Sequence, residues 1–335
     1  VPSITIRGWD RNKTIIDGEF ERGNGILVAG VDGVTIENIT ARNALLNGFY
    51  WATVKGYRGS YLTAYNNGDY GVYAFDAVDG VLDHSYATGS PDAGFYIGQC
   101  YPCDAIVNNV VSEYNGLGYS GTNSGGSLYI TSSIFRNNKG GLAPNTLDSE
   151  LLPPERETFI IGNLIENNNN YNSPATNSTY LSYGNGVVIA GGNNNIIKNN
   201  VIVDHDLYGV ILTASMDVNY WPAHGNRVEE NLILSSRKAD IAVSGVSNLA
   251  NCFEGNYFNT SIPPGLQALN GCENNIIPLS ADLSGLWSTI ARLIYANTGD
   301  FYQDDWRTLP APEQQENMPI MQEIIDANDN GQYEL

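Results

Sequence analysis

Asp69 and Asp92 stand 23 residues apart, and each precedes a glycine by two positions, in Asp69-Tyr-Gly71 and Asp92-Ala-Gly94. If the chain returns on itself with that period, the two carboxyl groups become neighbours about 5 Å apart, near the separation of a retaining glycosidase pair. Like charges that close push one pKa upward, as a general acid requires. Asp76, five residues after Gly71, is the best third carboxylate. The same register stacks Tyr50, Tyr73 and Tyr96, each two residues after a glycine. Gln99 and Asn123 follow their glycines by five. Outward tyrosines and planar amides are groups that hold sugar rings. We therefore expect Asp69, Asp76 and Asp92 to carry any catalysis, and Tyr50, Tyr73, Tyr96, Gln99 and Asn123 to bind substrate. The competing reading is plainer: aspartates capping glycine-rich turns, and tyrosines forming a stabilising surface ladder.

What would position these residues is a repeat. Gly25, Gly48, Gly71, Gly94, Gly118 and Gly141 each precede an apolar residue at steps of 23, with one step of 24, and the pattern resumes at Gly186 and Gly209. A fixed period of this length marks a stacked solenoid. Each repeat holds three short apolar segments separated by polar turns, with no helical stripe between them. The expected fold is all-β: a right-handed parallel β-helix with three short strands per ~23-residue coil. Alignment of the repeats places Asn38, Tyr61, His84, Asn109, Ser133, Asn163, Asn200, Asn231 and Asn256 in one row, where stacked amides can bond along the axis. Extra length sits at residues 144–158, 167–183 and 215–225. Long loops on a solenoid gather on one side and shape a cleft.

With segments such as Ser60-Tyr-Leu-Thr-Ala-Tyr-Asn-Asn-Gly68 and Asp92-Ala-Gly-Phe-Tyr-Ile-Gly-Gln-Cys100, the chain resembles the parallel β-helix repeat proteins of the pectate-lyase-like superfamily. The resemblance covers residues 1 to about 278 and is closest to secreted bacterial repeat proteins without a defined activity. It implies the fold. The superfamily holds polysaccharide lyases, glycoside hydrolases, epimerases, adhesins and non-catalytic surface proteins, so it leaves the reaction open. Asp83-His84 resembles the Asp-His segment of pectate lyases, but their Arg-x-Pro-x-x-Arg is missing, and Pro153-Pro-Glu-Arg156 is a poor substitute. The polygalacturonase motifs and the alginate-epimerase Asp-Pro-His-Asp are missing too. If the chain is an enzyme, a glycoside hydrolase fits its acids better than a lyase. Asp204-His205-Asp206 is a second acid–histidine cluster.

Lys and Arg total 16 against 36 Asp and Glu, a formal net charge of -20. That sign excludes nucleic acid as a partner and repels anionic polysaccharide unless a cation intervenes. The four cysteines fall in two local pairs, Cys100 with Cys103 and Cys252 with Cys272. Local even pairing favours two disulfides, with other pairings open. No apolar run reaches the roughly 20 residues that span a bilayer. Val1-Pro2 directly before an alternating strand reads as a mature start with the signal peptide removed, hence an extracellular or cell-surface protein.

Leu283, Leu286, Trp287, Ile290, Leu293 and Ile294 form a helical stripe. The expected organisation is a β-helix over 1–278, a C-terminal capping helix over 279–300, and an extended tail over 301–335 with a short helix near 318–325. Near the end, Asp326, Asn328 and Asn330 follow the spacing of a calcium loop, which makes Ca2+ the one cofactor suggested. Among four sequons, Asn177 lies in a loop and is the best glycosylation acceptor. Two functions remain. One is a secreted β-helix that binds a polysaccharide or cell-surface glycan and, if an enzyme, hydrolyses it. The other is a non-catalytic component of an envelope, sheath or extracellular filament, with self-association or an envelope partner.

Overall fold

A computed structural model describes residues 3–244, 250–273, 294, 298 and 303–329. Short strands recur in three positions around each coil and pair in parallel with the coils above and below. The first position holds Asn24–Ala29, Ala93–Gly98, Leu117–Thr122, Gly140–Asn145, Asn185–Ala190, Tyr208–Thr213 and Ala239–Ser244. The second includes Val34–Glu37, Ala105–Asn108 and Arg156–Ile161. Asn47–Ser60 and Tyr70–Asp83 run through both positions, which joins them into one sheet of 18 strands. The third position forms a separate sheet of 10 strands, from Ile15–Asp17 to Tyr257–Phe258. The fold is the right-handed parallel β-helix expected from the repeat.

The period of the glycines has a steric cause. A Cβ on Gly48 would lie 2.6 Å from the carbonyl oxygen of Gly71, and one on Gly71 would lie 2.7 Å from that of Gly94. Each repeat glycine is thus the point where successive coils approach too closely for any side chain. Inside, Ile36, Phe49, Trp51, Leu82, Phe95 and Phe253 belong to one continuous apolar column. Strand register stacks Phe49 on Val72 and Val72 on Phe95 along this column.

The corners correct the single row read from the sequence. Strand pairing puts Asn38, Tyr61, His84 and Asn109 one residue before the amide ladder, level with Asn199 and Glu230. These residues adopt left-handed backbone, with φ of 57°, 51°, 47°, 53°, 56° and 54°. The ladder proper is Ser133, Asn163, Asn200, Asn231 and Asn256, each oxygen accepting from the residue of the preceding coil. The two rows sit side by side because a tight corner needs both a residue tolerant of φ > 0 and an amide to satisfy buried N–H groups. Two further ladders were not legible: Asn115–Asn138–Asn168, ending on His205, and Asn195–Asn226–Asn251.

At the C-terminal end of the stack, a short helix, Leu266–Leu269, covers the last coil. Gln267 closes the main ladder by accepting from Asn256 Nδ2 at 2.9 Å. The Cys252–Cys272 disulfide ties this segment to its coil, and Cys100–Cys103 closes the other expected pair. The capping helix expected at 279–300 lies outside the described residues, apart from isolated helical positions at 294 and 298. The tail is not free. Residues 303 and 304 bond to the 167–183 loop, residues 306–318 return to the first coils, and a helix, Pro319–Asp329, follows. Asn12 and Gln315 exchange hydrogen bonds at 2.9 Å, Asn66 donates to Leu309 O, and Met318 N donates to Asn38.

Candidate active site

The outer face of the first-position strands carries the tyrosine row. Tyr50 pairs with Tyr73 and Tyr73 with Tyr96, their ring centroids 4.5 Å and 4.8 Å apart. Tyr70 stacks on Tyr73 at 4.3 Å. Further along, the outward residues turn aliphatic. Leu117, Ala143, Val188, Ile211 and Ala242 form a second apolar cluster outside the coil. An apolar outer face of this size needs a cover or a ligand.

The inserted loops supply most of a roof. Asn123 clamps residues 144–158, donating from Nδ2 to Leu147 O at 2.7 Å and to Glu150 O at 2.8 Å. Gln99 accepts from Leu151 N at 2.8 Å. A hairpin of Ser215–Met216 and Tyr220–Trp221 is joined to this loop by Asp148, which accepts from Asn219 N, Asn219 Nδ2 and Trp221 Nε1. The 167–183 loop is pinned beside Asp92, where Thr176 N and Thr179 Oγ1 both donate to Pro91 O at 3.1 Å. Between roof and sheet lies a cavity of about 310 Å³. Asp92, Glu150 and Tyr70 stand at its polar end, with Leu117, Val188 and Ile211 along its apolar wall.

Burial governs the acids. Asp92 is pushed up to about 7, first by desolvation and then by the charge of Asp69 on the adjacent coil. Glu150 is pushed up to about 7 by desolvation, although Tyr96 Oη donates to both its oxygens at 2.8 and 2.9 Å. Desolvation raises Asp69 to about 6. The backbone ties Asp69 and Asp92 together directly, Asp92 N donating to Asp69 O at 3.0 Å. Tyr70, Tyr73 and Tyr96 are all lifted by burial and stay protonated donors. Carboxyl groups that keep their protons near neutrality are what acid catalysis needs.

Set against the sequence, the structure brings Asp69 and Asp92 together and leaves Asp76 apart. Asp76 is exposed at a left-handed corner, φ 52°, six residues along the strand from Tyr70. At about 3.3 Å per residue that is roughly 20 Å away. The outward tyrosines do not make an open strip either. Tyr50 and Tyr73 are half-buried, and Tyr96 is 1% exposed because Glu150 and its loop lie over it. Gln99 and Asn123 sit in the same left-handed row as Asp76, and the groups expected to hold sugar hold the roof instead. Glu150 was missed. It lies in an inserted loop with no partner at the repeat spacing, and only the loop's length hinted at it.

The other acid and histidine positions have partners within the coil. Asp83 binds Arg58 and Ser60, while His84 stacks on Tyr61 at 4.7 Å. His205 is buried in a ladder, accepting from Asn168 N, and burial lowers its pKa to about 4. The calcium loop is corrected: Asp326 and Asn328 lie within the helix that runs to Asp329, and a cation loop cannot be helical there. Asn330 lies outside the described residues. Glu229, Cys252 and Cys272 also converge, but the two sulfurs are bonded to each other and are not ligands. Asn177 is exposed in the 167–183 loop. Among the described residues no helix is long and apolar enough to cross a membrane. Two disulfides mark a non-cytoplasmic protein.

A family model described as "Right handed beta helix region" matches residues 5–151. No curated protein matches the chain by sequence. Among solved structures, the A-module of mannuronan C-5 epimerase AlgE6 from Azotobacter vinelandii is similar at 16% identity and a TM-score of 0.54, over 77% of this chain and 81% of that one. The AlgE4 A-module of the same organism gives 14% identity and a TM-score of 0.49, over 77% and 82%. Tailspike protein 3 of bacteriophage CBA120 gives 12% and 0.48, over 78% of this chain and 44% of that one.

Proposed function

We propose that this extracellular β-helix binds an uncharged polysaccharide in the roofed cleft and hydrolyses a glycosidic bond there. The observation that carries the reading is the meeting of Asp69, Asp92 and Glu150 at the end of a tyrosine row, each with a raised pKa. The β-helix neighbours include enzymes named for mannuronan, which fits a carbohydrate role. Their anionic polymer does not suit this cleft, where Asp92 and Glu150, once ionised, outnumber the lining cation Lys238 on a chain of net charge -20.

The roles follow from position. Asp92 and Glu150 line the cavity and can touch substrate. Asp92 is the acid: it gives its proton to the leaving oxygen as the bond to the anomeric carbon breaks. Glu150, once ionised, is the base: it takes a proton from the water that attacks that carbon, or attacks it directly. Asp69 acts through its neighbour, since its charge helps Asp92 keep a proton. Asp69 is thus a positioning residue rather than a catalytic one. The aliphatic wall and Tyr70 supply the face against which a sugar packs.

The test is reducing-end release from a broad panel of neutral and uronate polysaccharides. Wild type should act on neutral polymers, with activity falling on both sides of neutrality. Asp92→Asn and Glu150→Gln should each lose about 10²-fold or more in kcat. Asp69→Asn should keep turnover but move the alkaline limb to lower pH. No binding and no release across the panel would return the chain to the non-catalytic reading, and unchanged variants would remove these residues from the chemistry.

A further inference from the structure

The returning tail creates a second concavity, on a different face of the coil. Residues 309–315 pass over the outer side of the third sheet and leave a groove of about 620 Å³. Its floor is set by strands Tyr86–Thr88, Val111–Glu113 and Ile134–Arg136. Glu113 is fully engaged: it accepts from Tyr86 Oη and from Arg136 Nε, both at 2.7 Å. That fixes Arg136 in place while Nη1 and Nη2 make no hydrogen bond among the described residues. Around it lie Asn137, Asn170 and Asn172. The Nδ2 groups of Asn137 and Asn170 and the side chain of Asn172 likewise have no hydrogen bond among the described residues, and all three residues line the groove. Tyr114, 44% exposed, completes the lining, its hydroxyl making no hydrogen bond among the described residues.

Planar amides and a guanidinium with free donors, beside a half-open tyrosine, match the hydroxyl pairs and apolar faces of sugars. A peptide is a poorer match. It would add to a free strand edge or seat an apolar anchor. Here Val111–Glu113 is paired on both sides, to Tyr86–Thr88 and to Ile134–Arg136. We propose that this groove is a second carbohydrate-binding site, specific for uncharged glycan and separate from the cleft. It goes beyond the hydrolytic reading and does not require it. Two sites on one rigid rod hold a long polymer more tightly than either alone, because the second contact becomes intramolecular.

The experiment uses the full chain and measures affinity for neutral polysaccharides and for short oligosaccharides cut from them. The variants are Tyr114→Ala with Asn172→Ala, and Asp92→Asn separately; thermal unfolding checks that each is folded. The double groove variant should lose about tenfold or more in affinity for the polymer, some 1.4 kcal/mol. It should cleave short oligosaccharides like wild type, while Asp92→Asn keeps polymer binding and loses cleavage. Wild-type polymer affinity in the groove variant would overturn the second site and leave the hydrolytic reading intact. Capture of peptides in place of glycans at the groove would overturn it as well.

Discussion

Among the described residues, four carboxyl groups hold their protons more tightly than free acids do. Asp69, Asp92, Glu150 and Glu155 are raised to about 6, 7, 7 and 8, in every case chiefly by burial. Glu155 differs in place: it sits inside the coil, held by Thr158 Oγ1 and Asn195 Nδ2 at 2.8 Å. Between the ordinary carboxyl values and these raised ones, the unfolded chain has released protons that the folded chain retains. Stability must then fall as pH rises through that window, until Lys139, lowered to about 8 by burial, acts in the opposite sense above about 8. His205, lowered to about 4, acts in the opposite sense, losing stability below its ordinary value of 6.5. The clean signature therefore lies between 6.5 and about 8, where Asp92, Glu150 and Glu155 act alone among these groups. The unfolding midpoint should drop by several degrees across it, and Glu155→Gln should flatten the upper part. A midpoint that is level or rising over the same interval would contradict the burial of these acids.

At the scale of the element, the corner is a division of labour between two adjacent residues. Asn199 is exposed at φ 56°. Asn200 is buried, accepts from Asn163 N and Nδ2, and donates to Ile160 O and Asn231 Oδ1, all at 2.9–3.0 Å. Asn200→Ala would strand buried donors and should cost about 3 kcal/mol. Asn199→Gly, which keeps the left-handed backbone, should cost almost nothing. Urea midpoints for the two variants separate the rows; similar losses would mean that the corner is one functional row after all. The roof obeys related logic. Its loops carry little regular structure, and amides on the coil hold them down, so Gln99 and Asn123 matter to the cleft as fasteners.

At the scale of the whole molecule, residues 306–318 form a strap over the first coils. Arg11 is its anchor, 2% exposed, with Nη2 donating to Leu62 O at 2.6 Å, Nε to Thr63 Oγ1 at 2.9 Å and Nη1 to Glu316 O at 2.8 Å. Burial lowers its pKa to about 10, which leaves it charged at neutral pH. Arg11→Ala should loosen residues 303–318 and expose them to protease while the coils stay protected. Limited proteolysis reads this directly; a strap as resistant as in wild type would mean that its other contacts, Trp306 on Phe20 and the bonds of Asn12, Asn38 and Asn66, are enough to hold it.

The sequence alone determined the winding, because a steric rule repeats. A glycine every 23 residues marks where one backbone touches the next, and the inward apolar residues follow in phase. It also determined that Asp69 and Asp92 are neighbours, since periodicity converts spacing into height, and it favoured the two local cysteine pairs that the fold then closed. Tertiary structure decided whatever the period does not govern. Loops inserted between repeats carry no phase, so neither Glu150 over Tyr96 nor the tail over the third sheet could be read from spacing. Asp76 belongs to the same coil as Asp69, but it lies six residues further along its strand than Tyr70, a distance that vertical stacking cannot remove.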